Sequence, residues 1–354
     1  MTSSRSFLCR SESKRASLLI LVAWALSLLA IFAVSLGGTA RSQLSFSKRL
    51  VQDATLRLAA EAGMARARAW LAQPQDAAAE EEKGSLKLWM ERGEIFGDSS
   101  VGPAVFSLGY DFVDAVSGEP RFFYGLADEE GKVNLNTAAP DVLARLFKGA
   151  LDIGSPQAQQ LADAVVDWRD ADSASQDKGA EDDFYEGLPV PYACKDAPFD
   201  APDELLLVRG FDATIYKKIK GYVTVFGSGR LNINTVSAKV LEALGLGPKL
   251  VDKIVLYRRG PDARWGTADD GIFASVTRIV PDIEAFASLS EQEKASLESF
   301  VSANAFGVSS SYYSATCTAR ATGKTGTFSV AAVFERTLAE KGYRVQPRYW
   351  RTSL

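Results

Sequence analysis

The residues best suited to chemistry are carboxylates. Asp163, Asp167, Asp170, Asp172, Asp177, Glu181, Asp182 and Asp183 crowd into one short stretch. Carboxylate and carbonyl oxygens, without nitrogen or sulfur donors, suit a hard cation such as Ca2+, which takes about 6–8 oxygen ligands. The spacing Asp170-x-Asp172…Glu181-Asp182 is not that of an EF-hand, so a site made from it requires the loop to fold back on itself. A solvated acidic loop is the competing reading, and composition alone favours it slightly. A second, weaker acidic loop holds Asp262, Asp269 and Asp270. Other chemistries are excluded by count. None of the 354 residues is histidine, so Ser-His-Asp or Cys-His catalysis and imidazole metal sites are ruled out. Cys9, Cys194 and Cys317 are too few for a zinc knuckle or a disulfide scaffold and read as isolated thiols. Many carboxylate pairs could do acid–base work, but none accompanies a nucleophile or substrate motif, so no enzyme is expected.

The acidic loops hang on an internal repeat. Lys132-Val-Asn134-Leu-Asn136-Thr137 returns as Arg230-Leu-Asn232-Ile-Asn234-Thr235, in register at an offset of 98 residues. Thr137 and Thr235 stand where a helix N-cap is expected, just before an apolar-periodic run. A second helix follows in each copy, over 161–169 and 250–258. The four asparagines read as structural, tying loop to helix start. On either side the pattern is of strands. Phe106, Leu108, Tyr110 and Phe112 alternate at period two before a turn at 117–120, which predicts a hairpin. Residues 309–321, 326–336 and 342–351 are rich in Tyr, Val, Thr and Phe. The repeats, near 132–210 and 230–290, therefore read as a helical domain over 131–302 inserted in a sheet formed by 100–130 and 303–354.

Leu18 to Leu36 is almost unbroken apolar sequence, long enough as a helix to cross a bilayer core, which needs roughly 20 such residues. Arg5, Arg10, Lys14 and Arg15 precede it against Glu12 alone, which predicts a cytoplasmic N-terminus and an exported remainder. A cleavable signal ending at Gly38-Thr39-Ala40 is the alternative, but its core would exceed the usual length of about 7–15 residues. The helical pattern also continues: Leu50, Ala54, Leu58, Ala62, Ala65 and Ala69 recur at steps of three or four. A spanning half over 17–38 and an amphipathic half over 39–73 follow from this.

This N-terminus resembles those of type IV pilins and type II secretion pseudopilins. The resemblance implies a leader over 1–16, cut by prepilin peptidase between Ala16 and Ser17, although Ala16 stands where glycine is usual. Leu21 replaces the glutamate normal at the fifth mature position, a departure that points to the GspK family of minor pseudopilins. A glutamate buried in lipid is costly and needs a neighbour to neutralise it. The double Asn-x-Asn-Thr motif is also similar to that family, as are Asp167-Trp168-Arg169-Asp170, Gly179-Ala180-Glu181-Asp182, Tyr185, Pro198-Phe199, Glu204-Leu205 and Val223-Thr224-Val225.

Membership implies an α+β fold: a pilin-like long N-terminal helix packed on an antiparallel β-sheet, with a large all-α domain of two helix-hairpin-helix-like repeats inserted between strands. It implies structural Ca2+ held by Asp170, Asp172, Glu181 and Asp182. It implies an inner-membrane protein, its globular part periplasmic, capping the pseudopilus tip and helping to start assembly for the export of folded proteins. The partners implied are GspI-, GspJ- and GspH-like minor pseudopilins, the major pseudopilin fibre and prepilin peptidase. A second family, the membrane-anchored competence DNA receptor ComEA, opens its helical units with a similar motif. Gly245-Leu-Gly247-Pro-Lys249 could hold a phosphate, and Lys249, Lys253, Arg258, Arg259 and Arg264 outnumber Asp252 and Asp262 nearby. Phosphate binding needs several uncompensated bases, however, and the first repeat is strongly acidic, so no nucleic-acid partner is expected.

Overall fold

The computed structural model describes residues 9–73, 93–113, 120–262, 265, 269–323, 326–340 and 342–353, with 9–17, 112–113 and 120–121 described by backbone only. Most of the leader, the acid-rich stretch 77–83, turn residues 117–119, 324 and 341, and Arg264 lie outside the described residues, as do the side chains of Cys9, Ala16 and Ser17. The chain divides into two units, at Leu56 and Arg57. Helix α1 runs over Cys9–Leu71. Its part in the first unit exposes Leu18, Ile20, Trp24, Ile31 and Phe32, and it is long and apolar enough to cross a membrane by length and composition.

In the second unit, the last turns of α1 bury Ala59, Ala60, Gly63, Met64, Ala67 and Leu71. This is not the face expected from the sequence: Leu58, Ala65 and Ala69 are exposed and Ala62 only half-buried. Alanines occur on several faces of this segment, so period alone does not select one. Close approach does. A Cβ on Gly63 would lie 2.3 Å from the Cys317 sulfur and 2.9 Å from the Phe106 ring, so only glycine lets the helix seat there. Arg336, buried, donates through Nε to the Leu71 carbonyl at 2.9 Å, satisfying an orphan acceptor at the helix end.

The sheet under α1 is built from strands on both sides of the insertion. In spatial order it is β1 (Ser99–Val101), β2 (Ala104–Val113), β9 (Tyr312–Ala321), β10 (Thr327–Leu338) and β11 (Tyr343–Ser353), all antiparallel. The hairpin partner β3 (Pro120–Phe123) pairs with β2, and β4 (Ala127–Asp128) pairs with β9. Phe106 faces Ala319 and Leu108 faces Cys317 across β2 and β9, although some two hundred residues separate them in sequence. The chain leaves the sheet at Asp128 and re-enters at Tyr312, on neighbouring strands.

Between these points lie two similar modules. In the first, β5 (Val133–Asn134) pairs in parallel with β6 (Val223–Thr224). In the second, β7 (Leu231–Asn232) pairs in parallel with β8 (Phe306–Gly307). Short helices α2 (Gly93–Phe96) and α5 (Asp182–Tyr185) precede β1 and follow the acidic loop, and each Asn-x-Asn-Thr strand leads into a longer pair: α3 (Pro140–Leu151) and α4 (Ser155–Arg169) in the first, α7 (Ala238–Leu244) and α8 (Pro248–Arg259) in the second. Both pairs turn through one left-handed residue, Asp152 at φ 55° or Gly245 at φ 108°, and restart at a glycine N-cap with proline in the first turn, Pro156 or Pro248. The N-caps of α3 and α7 are Ala139 and Ser237, not Thr137 and Thr235. Pro140, with φ preset and no N–H to satisfy, moves the first start forward. Ser237 caps the second by accepting from Val240 N. Arg145 of α3 donates to the carbonyls of Ala243 and Leu244 at the end of α7, joining the modules over a core that includes Leu143, Phe147, Trp168, Leu241, Ile254 and Phe306.

Candidate metal centre and the joint beneath it

The acidic loop does fold back. Asp167, fully buried in the last turn of α4, accepts from Gln176 N at 3.1 Å and Ser175 Oγ at 3.2 Å. Gly179 packs so closely that a Cβ there would lie 1.8 Å from Asp167 Oδ2, and its carbonyl accepts from Arg209 Nη1 at 2.8 Å. Asp182 Oδ1 then accepts from Cys194 N at 2.7 Å, drawing 194–196 alongside. Glu181, Cys194 and Asp196 thereby each place a ligand-type atom within 4.8 Å of the others. Asp170 Oδ1, Glu181 Oε1 and Asp196 Oδ1 are buried with no hydrogen-bond donor among the described residues. Buried polar atoms are nearly always satisfied, and three such carboxylate oxygens around one loop are of the kind that fits an oxygen-ligated cation.

Electrostatics agree. Burial, with the charges of Asp167, Asp196 and Asp170, pushes Glu181 up to about 7. Burial, then Asp172 and Asp167, raises Asp170. Burial also pushes the Cys194 thiol up to about 12, so it stays protonated and leaves oxygen as the ligand type. Of the residues named from sequence, Glu181 belongs to this group, and Asp170 lies near enough for its charge to act on Glu181. Asp172 is exposed and accepts from Ala174 N at 2.9 Å, while one oxygen of Asp182 is engaged by Cys194. Asp196 carries no signal in the sequence, and only folding, through a left-handed backbone at φ 48°, brings it to Glu181. In the second acidic loop, Asp262 N donates to Asp269 Oδ2 at 3.2 Å, and the charge of Asp270 acts on buried Arg258; residues 263, 264 and 266–268 lie outside the described residues.

The Asn-x-Asn-Thr motifs do the same work twice. Asn136 holds both backbone groups of buried Phe199 (N–H to Oδ1 2.7 Å, Nδ2 to C=O 3.0 Å), and Asn234 does so for Phe273 at 2.9 and 3.1 Å. Asn134 and Asn232 accept from the N–H of Asn136 and Asn234. Arg169 and Arg258 complete the pattern by donating to the carbonyls of Ala138 and Val236. Asn136→Ala should therefore cost about 2–4 kcal/mol, read as a shifted urea midpoint, because it orphans two backbone groups behind the acidic loop.

A second polar cluster, unforeseen in the sequence, lies where the insertion joins the sheet. Buried Asp128 accepts on Oδ2 from Ser310 Oγ at 2.6 Å, Thr235 Oγ1 at 2.7 Å and Asn232 Nδ2 at 2.8 Å, and on Oδ1 from Glu130 N. Burial raises its pKa against the pull of these donors. Burial works to raise neighbouring Glu129 as well, yet the Lys132 ammonium and the Ser314 and Thr224 hydroxyls hold it below the ordinary carboxylate value. Glu130 accepts from Ser311 N at 2.7 Å. The three acids thus connect sheet strands β4 and β9 to both modules. The DNA reading loses ground here: Lys253 is paired with Glu293 at 2.8 Å, and Arg258 is buried, donating to Val236 and stacked 5.2 Å from the Trp265 ring.

The last turns of a long N-terminal helix seated on an antiparallel sheet, with a helical domain between the strands, make a mixed helix and antiparallel-sheet fold carrying an insertion. Residues 124–228 match the family described as type II secretion system (T2SS), protein K. The type II secretion system protein K of Aeromonas hydrophila is 37% identical over 107 residues, 30% of this chain and 32% of that protein. That of Pectobacterium carotovorum subsp. carotovorum is 29% identical over 190 residues, 52% and 54% of the two. That of Dickeya chrysanthemi is 35% identical over 121 residues, 32% and 33% of the two. The matches thus span about half or less of these curated relatives. In fold, the chain is similar to a chain of the GspK-GspI-GspJ complex from the enterotoxigenic Escherichia coli type 2 secretion system, with TM-score 0.55 and 18% identity over 89% of this chain and 99% of the other.

Proposed function

We propose that the chain is a minor pseudopilin of a type II secretion system, capping the pseudopilus tip and helping to start its assembly, a structural and non-enzymatic role. One observation carries this reading. Strands from both sides of the insertion pair in one sheet beneath α1, so the helical domain is a fixed outgrowth of a filament subunit and not a bead on a tether. Such an outgrowth would obstruct a subunit stacked above it. The GspK-GspI-GspJ complex of the structural relative supports GspI- and GspJ-like partners; a GspH-like subunit and the major fibre complete the proposed set. In finer detail, the two helix pairs are helix-hairpin-helix-type units. The basic residues before Leu18 hold the N-terminus in the cytoplasm and the remainder in the periplasm. Prepilin peptidase cuts between Ala16 and Ser17.

The acidic loop holds calcium, with Asp170, Glu181 and Asp196 as the inner carboxylates, Asp167 ordering the loop behind them, and Asp172 and Asp182 at the rim. The all-oxygen donor set and the protonated Cys194 thiol fit Ca2+ in preference to a thiolate-bound metal. Bound there, the ion supplies charge neutralisation that orders the loop.

The test is co-expression of the full chain with GspI- and GspJ-like pseudopilins, followed by purification from detergent and N-terminal sequencing. A co-purifying complex with this chain starting at Ser17 is expected. A chain starting at Arg41, or one that purifies alone, overturns the assignment.

A further inference from the structure

Between the inserted domain and the sheet face turned away from α1 lies an open cavity of about 490 Å3, adjoined by one of about 480 Å3. The two share Tyr110, Lys132, Lys217, Lys220, Ser314 and Thr316, which makes them one groove, each part within the roughly 300–1,000 Å3 of ligand pockets. Its floor is shallow for a sequence reason. On β9 and β10 the fully buried side chains alternate toward the core, which leaves Ser314, Thr316, Ser329 and Ala331 to face the groove. One wall is α6 (Ala213–Ile219), which presents Tyr216 and Lys217, with Lys218 and Lys220 beside them. The groove is held in shape by Asp203 of the insertion, which accepts from the Tyr216 and Tyr349 hydroxyls and pairs with Arg351 of β11.

The acids around this groove are already engaged: Glu129 by Lys132, Asp128 by its four donors, and Asp203 by Arg351 and the two tyrosines. Asp111 lies 3.9 Å from Lys220 with both side chains half-exposed or more, a contact of little energy. Lys217 and Lys218 form no hydrogen bond or ion pair with the described residues. The rim is therefore positive in a chain of net charge −4.

We propose that this groove binds an extended, carboxylate-bearing peptide segment of a partner protein. Tyrosine walls give flat, rigid contact area, the Thr316 hydroxyl of the floor offers a partner to a peptide backbone while those of Ser314 and Ser329 already bond Glu129 and Thr318, and the lysines meet its carboxylates. A nucleic-acid strand fits less well, since its phosphates would sit over Glu129 and Asp203 with only a few lysines to neutralise them. The inference stands apart from the assembly role and does not require it.

The test is fluorescence anisotropy with the full chain in detergent micelles. The probe is a labelled peptide of alternating glutamate and threonine, compared with a lysine–threonine peptide and labelled oligothymidine. The acidic peptide should bind, and binding should fall with added salt. Lys217→Glu with Lys220→Glu should weaken it by about tenfold or more. Thr316→Trp, which fills the floor without changing charge, should do the same, while Lys249→Glu in the first turn of α8, outside the groove lining, should leave it unchanged. No binding, equal binding of the lysine peptide, or tighter binding of oligothymidine overturns the proposal. So does loss on charge reversal with none on Thr316→Trp, which would mean surface lysines acting without the groove.

Discussion

Calcium added to the metal-stripped protein is expected to raise its melting temperature by about 5–10 °C. An ion present at a hundredfold excess over its dissociation constant stabilises the folded form by about 2.7 kcal/mol. For a globular part of this size, that corresponds to a few degrees per kcal/mol. The gain should be large because three buried carboxylate oxygens have no donor among the described residues. Asp170→Ala and Glu181→Ala should abolish the calcium response. Each should also leave the metal-free protein as stable as before or more so, since each removes a like charge from the cluster. Asp172→Ala should reduce the response less, its side chain being exposed. Differential scanning calorimetry with calcium and with chelator decides this. A wild-type protein that melts at one temperature under both conditions would sink the metal centre.

The same carboxylates set a pH dependence. Glu181 titrates at about 7 in the folded, metal-free protein against 4.5 for an ordinary glutamate. Between those values the unfolded chain has released this proton and the folded chain has kept it, so the metal-free protein loses stability as pH rises from about 4.5 to 7 and no further above it. Calcium needs the ionised form. Its stabilising effect should therefore be small near pH 5 and full above pH 7, and a response independent of pH across that window would remove Glu181 from the ligand set.

Asp128→Ala should produce the second large effect, a loss of about 3–5 kcal/mol, because it strands the Ser310, Thr235 and Asn232 donors and the Glu130 N–H in a buried joint. Its signature goes beyond stability. The three acids connect sheet strands to both helical modules, so the wild type should unfold in urea as one cooperative unit. The variant should unfold in two steps, one followed by tryptophan fluorescence at Trp168 in the insertion and the other by the Cys317 thiol, buried in the sheet. Asp128→Asn, which keeps an acceptor for Glu130 N, should lose less and remain cooperative. Two coincident transitions in Asp128→Ala would show that the joint does not carry the coupling.

How much of this could be read from the chain follows from the range of each interaction. The Asn-x-Asn-Thr repeat was legible because each motif makes the same local contacts, so its 98-residue offset survives in the string. The strand pattern was legible for the same reason: period two is a property of one strand and its two faces. The membrane-length apolar run needs no partner to be recognised. The buried face of α1 was misread because small residues lie on several sides of it, and Gly63 selects a face only once Cys317 and Phe106 stand opposite. The helices start two residues beyond the threonines because Pro140 presets the first turn of one and Ser237 caps the other. Asp196 and Asp128 carried no local signal, since each acquires its role from residues distant in sequence.

By itself, then, the amino-acid order determined which segments are helix, which are strand, that one segment can cross a membrane, and that one loop is rich in oxygen ligands. Each of these depends on neighbours within a turn or a strand. Only the tertiary structure decided that β2 and β9 join across the insertion, that Asp196 completes the acid cluster, that Asp128 fastens the two lobes, and that a basic groove opens between them. The reason is physical: such contacts take their energy from burial and from pairing between groups far apart in sequence, and no periodicity along the chain records which distant groups will meet.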